Sequence, residues 1–308
     1  MFKVVIFYKY VVLENPEAIM KQIRSFGERI GIKGRILLGK EGINATAGGT
    51  EEQVIEFTKE MQSIPEFADI DLKYSDSEKP PFPKLKIKVR EEIVSLGPDA
   101  AHIDMSEVEP GVHITAQELE ELYEKEEDFV VLDARNDYES KIGKFKDSIT
   151  PDIENFRDLP KFLQENKDKV KDKKVVFVCT SGVRCEKATA YAKSIGYEEI
   201  YQLNGGMQRY LENYPSSNFE GSLYVFDDRI AIAYDKSPDR QIISECLYCK
   251  IKTDSYKNCF NAKCNARIVV CDECFRENDG CCSEDCKKIK HPRKVEFRFS
   301  DVLENTND

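Results

Sequence analysis

Histidine is nearly absent from this chain: there are three in 308 residues, His102, His113 and His291, and none has a partner in sequence. That scarcity excludes a 2-His-1-carboxylate iron site and any Ser-His-Asp arrangement. Solvated positions in a linker or a tail account for all three. Phosphate fingerprints of the Walker or Rossmann type are missing too, and no flavin or nicotinamide motif is visible. No apolar stretch approaches the roughly 20 residues of a membrane span. The N-terminus carries a four-residue apolar run, residues 4–7, flanked by Lys3 and Lys9 and followed by no small-residue cleavage site. It reads as a strand rather than a secretory leader. Eleven cysteines without such a leader point to metal and redox chemistry in the cytoplasm, not to disulfides.

A net charge of -11 argues mildly against nucleic acid, whose binding depends on neutralising phosphates. Distribution matters more than the sum. Lys287, Lys288, Lys290, Arg293, Lys294 and Arg298 crowd the end of the chain with only Glu296 opposing them. Lys84, Lys86, Lys88 and Arg90 alternate with Leu85, Ile87 and Val89, so a strand here places four cations on one face and three apolar residues on the other. That face is either a solvated edge that resists aggregation or a strip facing RNA.

At this length the chain divides into several domains. Residues 1–95 alternate in the order β-α-β-β-α-β. A strand over 3–13 precedes a helix over 16–30, which Asn15-Pro16 caps. Strands at 35–38 and 43–47 flank Gly39-Lys40-Glu41-Gly42, a helix over 50–63 opens on a Thr50-x-x-Gln53 capping box, and 69–74 follows. This order predicts a ferredoxin-like α+β domain. Residues 96–114 read as a linker. Over 115–220, strands at 129–132, 175–178 and 200–203 alternate with helices from Thr115, near 155–168, over 185–195 and up to Tyr214. The alternation predicts a doubly wound parallel sheet. Residues 221–308 begin with an apolar run and continue into the cysteine-rich segment.

Cys179 ends the apolar run of residues 175–178 and opens the loop Cys179-Thr180-Ser181-Gly182-Val183-Arg184, directly before Cys185 and a helix. Sites in parallel sheets lie beyond the carboxyl ends of the strands. Backbone N–H groups of Thr180, Ser181, Gly182 and Val183, the helix dipole and the Arg184 cation all lower the pKa of a thiol placed there. The loop counts as C-x4-R, one residue shorter than the C-x5-R loop with which tyrosine phosphatases cradle a phosphate dianion. The shorter loop suits a single extra sulfur, a persulfide. Cys185 is either a resolving thiol or a small buried residue on the first helical turn.

Nine cysteines fall within 41 residues as Cys246-x-x-Cys249, Cys259-x4-Cys264, Cys271-x-x-Cys274 and Cys281-Cys282-x3-Cys286. Four pairs suffice for two tetrahedral zinc sites, with an iron-sulfur cluster as the alternative. Eight of the nine are needed; spacing does not choose between Cys281 and Cys282, nor between sequential and interleaved pairing. Thiolate-only ligation implies closed, structural sites in a segment too small to build its own core.

The strand-Cys-loop-Arg-helix pattern, with Asp133-x-Arg135 ending an earlier strand and Gly205-Gly206 later, resembles the rhodanese domain over residues 115–214. Gly34 to Thr46, Lys84 to Val94 and Cys179 to Ala188 together are similar to the rhodanese-related tRNA uridine hydroxylases. Arg135-Asn136-Asp137-Tyr138-Glu139, Val225-Phe226-Asp227-Asp228-Arg229 and the terminal cysteines extend the likeness along nearly the whole chain. Ser181 departs from it, standing where the family commonly has glycine. The resemblance implies oxygen-dependent formation of 5-hydroxyuridine at the tRNA wobble position. Molecular oxygen would be co-substrate, tRNA the partner, Cys179 the essential cysteine, and Asp133 and Arg135 the support of its loop. The N-terminal domain and the zinc segment would bind RNA through Lys84, Lys86, Lys88, Arg90, Lys287, Lys288 and Arg293. Two other readings compete: a sulfurtransferase carrying persulfide, which needs only residues 115–214, and an RNA-binding adaptor with an inactive loop.

Overall fold

The computed structural model describes residues 1–288 except Lys171 and Asn265, and the Arg293 expectation lies outside the described residues. Two compact units divide after Ile243. No helix among the described residues is long and apolar enough to cross a membrane.

The first unit opens with β1 (Phe2–Tyr10), α1 (Pro16–Ile30), β2 (Lys33–Gly39), β3 (Gly42–Thr50), α2 (Glu51–Ser63), β4 (Lys73–Ser77) and β5 (Leu85–Val89). Their sheet order, β4-β1-β3-β2-β5, is the expected ferredoxin-like arrangement with one strand added at the edge. Both helix starts follow the sequence signals. Asn15 caps α1 with Pro16 in its first turn, and Thr50 and Gln53 form a reciprocal capping box on α2. Val5, Phe7, Ile36, Leu38, Ile43 and Ala45 share the core with Ile23, Val54 and Phe57 of the helices. The last ferredoxin strand begins at Lys73, later than 69–74, because pairing starts at Ile6 opposite Lys73 while Ile70 folds into the core.

The same unit continues with β6 (Val112–Ile114), α3 (Ala116–Glu124), β7 (Phe129–Asp133), α4 (Asp137–Ser140), β8 (Gly143–Phe145), α5 (Leu159–Val170), β9 (Lys174–Val178), α6 (Val183–Ser194), β10 (Ile200–Leu203), α7 (Gly206–Asn213), β11 (Phe219–Gly221), β12 (Leu223–Tyr224) and β13 (Ala231–Ile232). Strands β6-β10-β9-β7 form a parallel sheet. Along β9, Val175 and Phe177 face the core shared with α5 and α6, whereas Val176 and Val178 face the one shared with α3 and α7. A strand buried on both faces must be apolar throughout, which is why 175–178 carries no polar residue.

Residues 96–114 do not behave as a free connector. Leu96, Ala100 and Ile103 are buried in the α5–α6 core, and β6 supplies an outer strand of the sheet; apolar side chains at this spacing bury once the sheet offers them a face. Residues 222–243 are part of the first compact unit.

The second unit holds β14 (Tyr256–Asn258) paired antiparallel with β15 (Arg267–Val269), followed by α8 (Asp272–Glu277) and α9 (Glu284–Lys288). Among the described residues its buried apolar side chains are few, Tyr256, Ile268 and Val270 beside cysteines, too small a core to stand alone.

Candidate active site and metal centres

Strand β9 delivers Cys179 to its carboxyl end, the chain turns through Thr180, Ser181 and Gly182, and α6 begins at Val183. The whole loop is buried, and Cys179 is 0% exposed. Gly205 and Gly206 make the close approach of α7 possible: both have positive φ, and a Cβ on Gly206 would lie 2.7 Å from the Cys179 carbonyl oxygen and the Gly182 nitrogen. With that space free, the N–H of Met207 donates to the Cys179 carbonyl at 2.9 Å and that of Gln208 to the Thr180 carbonyl at 3.0 Å. The loop's carbonyls are thereby tied down and its N–H groups left for the sulfur.

The Gly182 N–H donates to Cys179 Sγ at 3.2 Å. Burial by itself pushes this thiol up, but the Cys185 hydrogen bond, the Arg184 charge and the N–H groups of Arg184 and Gly182 outweigh it and bring the pKa down to about 6. Cys179 is therefore a thiolate at neutral pH. Cys185 moves the opposite way, since burial and its bond to Cys179 hold its thiol well above the ordinary value. It keeps its proton and serves as a donor.

Arg184 is fixed by Glu139, its Nη1 and Nη2 donating to the two carboxylate oxygens at 2.6 and 2.8 Å. Burial works against the Glu139 charge, yet Arg184 and Arg135 keep its carboxyl below the ordinary range. Asp133 and Arg135 form the fully buried pair expected beneath the loop, Nη2 donating to Oδ2 at 2.7 Å and to the Gly143 carbonyl at 2.6 Å. Two buried ion pairs thus underlie one thiolate.

The N-terminal domain covers this loop, which the sequence did not disclose. Tyr8 of β1 reaches Gly182 so closely that a Cβ there would lie 2.7 Å from its hydroxyl oxygen. That hydroxyl donates to Glu186 at 3.0 Å, and Tyr10 donates to the Val183 carbonyl at 3.1 Å. Lys73, only 3% exposed, places its ammonium 5.3 Å from the Tyr8 ring centroid and 3.0 Å from Asp71. Burial lowers its pKa against the opposing pull of Asp71. Lys187 bridges back to Glu41 at 2.8 Å and Glu92 at 2.7 Å.

His113 is not merely a solvated linker residue. The β6–β10 register sets it beside Gln202, and both bind Glu186, at 3.2 and 2.9 Å. His102 contacts Ser194 at 3.3 Å and the Tyr191 ring. Of these residues only Glu139 had a local signal, the Asn136-x-x-Glu139 capping box at the start of α4; Tyr8, Tyr10, Lys73 and Glu186 had none.

The basic strip lies on the edge strand β5, where the register sets Lys88 on the sheet face that carries Tyr8. Lys84, Lys86 and Arg90 are exposed, Lys88 is half-buried, and mutual repulsion from Lys86 and Arg90 lowers the Lys88 pKa. Lys287 and Lys288 pair within α9 with Glu284 and Asp285, at 2.6 and 3.2 Å, which reduces their free charge.

In the second unit the cysteines interleave. Cys246, Cys249, Cys271 and Cys274 converge as one group and Cys259, Cys264, Cys282 and Cys286 as another. Sulfur separations of 3.7 and 3.8 Å in the first and 3.6 Å in the second match the ~3.8 Å tetrahedron edge implied by metal–sulfur bonds of about 2.3 Å. Each group could hold one metal ion. Cys281 stands outside both, its thiol against the Asp279 carbonyl at 3.6 Å.

The thiolate fraction of Cys179 should rise with pH through a midpoint near 6. Replacing Cys185 by Ala removes one donor to the charged form and should raise that midpoint by about one pH unit, equivalent to ~1.4 kcal/mol. The difference in absorbance at 240 nm between each protein and its Cys179→Ser counterpart measures both; an unmoved midpoint would show that Cys185 does not stabilise the thiolate.

Three family models match successive parts of the chain. A UPF0176 acylphosphatase like domain matches residues 2–93, a rhodanese-like domain 115–213, and a rhodanase C-terminal domain 220–287. Curated relatives align over nearly the full length. A tRNA uridine(34) hydroxylase of Arthrobacter sp. (strain FB24) is 39% identical, covering 92% of this chain and 98% of its own. Proteins of the same name from Enterococcus faecalis and Staphylococcus haemolyticus are 37% and 36% identical, covering 94% and 96% of this chain and 91% of each relative. The likeness to proteins of this one name runs over nearly the whole chain, and the chain belongs to the tRNA uridine(34) hydroxylase family.

Proposed function

We propose that this protein hydroxylates uridine 34 of tRNA at C5, with molecular oxygen as co-substrate and Cys179 as the nucleophile. The observation that carries the reading is a buried thiolate-stabilising cradle in a chain that aligns end to end with proteins named for this activity. A sulfurtransferase needs only the rhodanese-like domain and leaves the covering Tyr8, Tyr10 and Lys73 without a role.

In this mechanism the thiolate of Cys179 adds to C6 of a uracil extruded from the anticodon loop, and the electron pair of the C5–C6 bond moves toward C5 and the C4 carbonyl. Arg184 and the loop N–H groups stabilise the anionic site, while the protonated Cys185, hydrogen-bonded to Cys179, supplies a proton. The net change exchanges C5–H for C5–OH. One oxygen atom enters the base and the other leaves as water, with two electrons and two protons from a reductant; departure of the Cys179 sulfur restores the double bond.

Two structural zinc ions complete the protein in this reading, one in each cysteine group. All-thiolate, closed coordination suits zinc held for folding, with about 10–16 kcal/mol of apparent binding free energy available to a core that is otherwise too small. The β5 strip and the zinc segment contact the RNA backbone.

Nucleoside mass spectrometry of tRNA incubated with the enzyme and a reductant, with and without oxygen, tests the central claim. 5-Hydroxyuridine should appear only with oxygen and vanish in Cys179→Ala; retention of full product in that variant would remove the cysteine from the chemistry. Metal analysis should find two zinc equivalents in wild type and in Cys281→Ser, and fewer in Cys282→Ser; the reverse order would reassign the ligand. Charge reversal at Lys84, Lys86 and Lys88 should weaken tRNA binding and flatten its salt dependence by up to about three phosphate contacts, whereas unchanged affinity would make the strip a solvated edge.

A further inference from the structure

Between β12 and β13 the chain makes a tight turn whose backbone is pinned on several sides. The Val225 N–H donates to the Ile230 carbonyl at 2.8 Å and the Asp228 N–H to the Pro81 carbonyl at 2.9 Å. Arg229 donates to Asp227 Oδ1 at 2.7 Å and also reaches Ser75 Oγ at 2.9 Å and the Asp76 carbonyl at 2.8 Å. Ile230 sits at φ 63, a costly conformation for a β-branched residue. On this anchored turn, Phe226 leaves 38% of its surface exposed.

Among the described residues Tyr74 is the other aromatic exposed to such a degree. The register opposes Tyr74 to Val5, whose side chain lies in the helix-side core. Tyr74 therefore faces away from the cysteine loop. Phe226, by contrast, adjoins it: the Arg184 guanidinium lies 5.7 Å from its ring centroid. Tyr224 meets the same ring at 5.3 Å and 77°, and Tyr138 in turn meets Tyr224 at 5.3 Å and 74°. An aromatic ladder thus ends in a partly bare ring beside the cation of the thiolate cradle.

We propose that Phe226 is a stacking platform for an unstacked nucleobase of the RNA substrate, presented beside Arg184 at the Cys179 loop. This rests on RNA being the substrate class proposed above. A base taken out of its stack loses π-contacts that a bare aromatic ring restores, typically worth about 1–3 kcal/mol per base. A ring fixed by its backbone loses little entropy on binding. The adjoining guanidinium adds a charged plane beside the ring. An aliphatic side chain would supply apolar area without a π-face.

The test is binding of a 17-nucleotide anticodon stem-loop RNA with uridine first in the anticodon, followed by fluorescence anisotropy without oxygen. Phe226→Ala and Phe226→Leu should each weaken binding about tenfold, and Phe226→Trp should stay within about twofold of wild type. The 240 nm thiolate signal of Cys179 should be unchanged in all three, which separates loss of stacking from collapse of the Arg184 cradle. Wild-type affinity in Phe226→Leu, equal affinity in all variants, loss of affinity in Phe226→Trp, or no RNA binding by wild type would overturn the platform. Wild-type protein that binds the RNA and loses it in Phe226→Leu, yet makes no 5-hydroxyuridine with oxygen and reductant, would reject the hydroxylase reading while upholding the platform.

Discussion

A charge with no access to water must be surrounded by donors, and the region around Cys179 is organised by that constraint. Arg184 is held at both nitrogens by Glu139, with the Asp133–Arg135 pair beneath. The four charged side chains cancel, so ionising Cys179 leaves one net negative charge in a dry site. Compensation comes from the Cys185 thiol, from the nearby Arg184 charge, and from dipoles: the N–H groups of Arg184 and Gly182 and the first turn of α6. The glycine pair before α7 matters for the same reason, since its close approach occupies the loop's carbonyls.

The legible part of this protein was the part written locally. Cys179 to Arg184, the Asp133-x-Arg135 pair and the four cysteine pairs all lie within short stretches, where spacing carries geometry. The N-terminal β-α-β-β-α-β order emerged from periodicity and caps, because each helix start had its own side-chain signal. The cover over the loop had no such signal. Tyr8 meets Glu186 across 178 positions of sequence, and a tyrosine alternating along a strand looks the same whether it faces solvent or a cysteine. His113 was misplaced because three residues of strand are too few to show a period; only pairing with β10 sets it beside Gln202. The convergence of Cys282, and not Cys281, with the second group was likewise three-dimensional, set by which sulfur reaches the opposite pair.

Residues 84–90 illustrate a different limit. Their alternation correctly assigned the cations to one side of a strand, and the structure makes that strand a sheet edge. An edge position accounts for lysines by blocking strand pairing, and the same exposure makes them available to phosphates.

The burial of α6 has a further consequence. Every residue from Val183 to Ala192 is shielded from solvent, including Glu186 and Lys187, whose partners include Tyr8, Glu41 and Glu92 from the N-terminal domain. Cutting out the rhodanese-like module would leave these charges without those partners and uncover the glycine over which Tyr8 sits. Wetter surroundings would alter both the acidity and the accessibility of the sulfur. The module matches a family model of its own, but the surroundings of its Cys179 sulfur are built in part by the N-terminal domain.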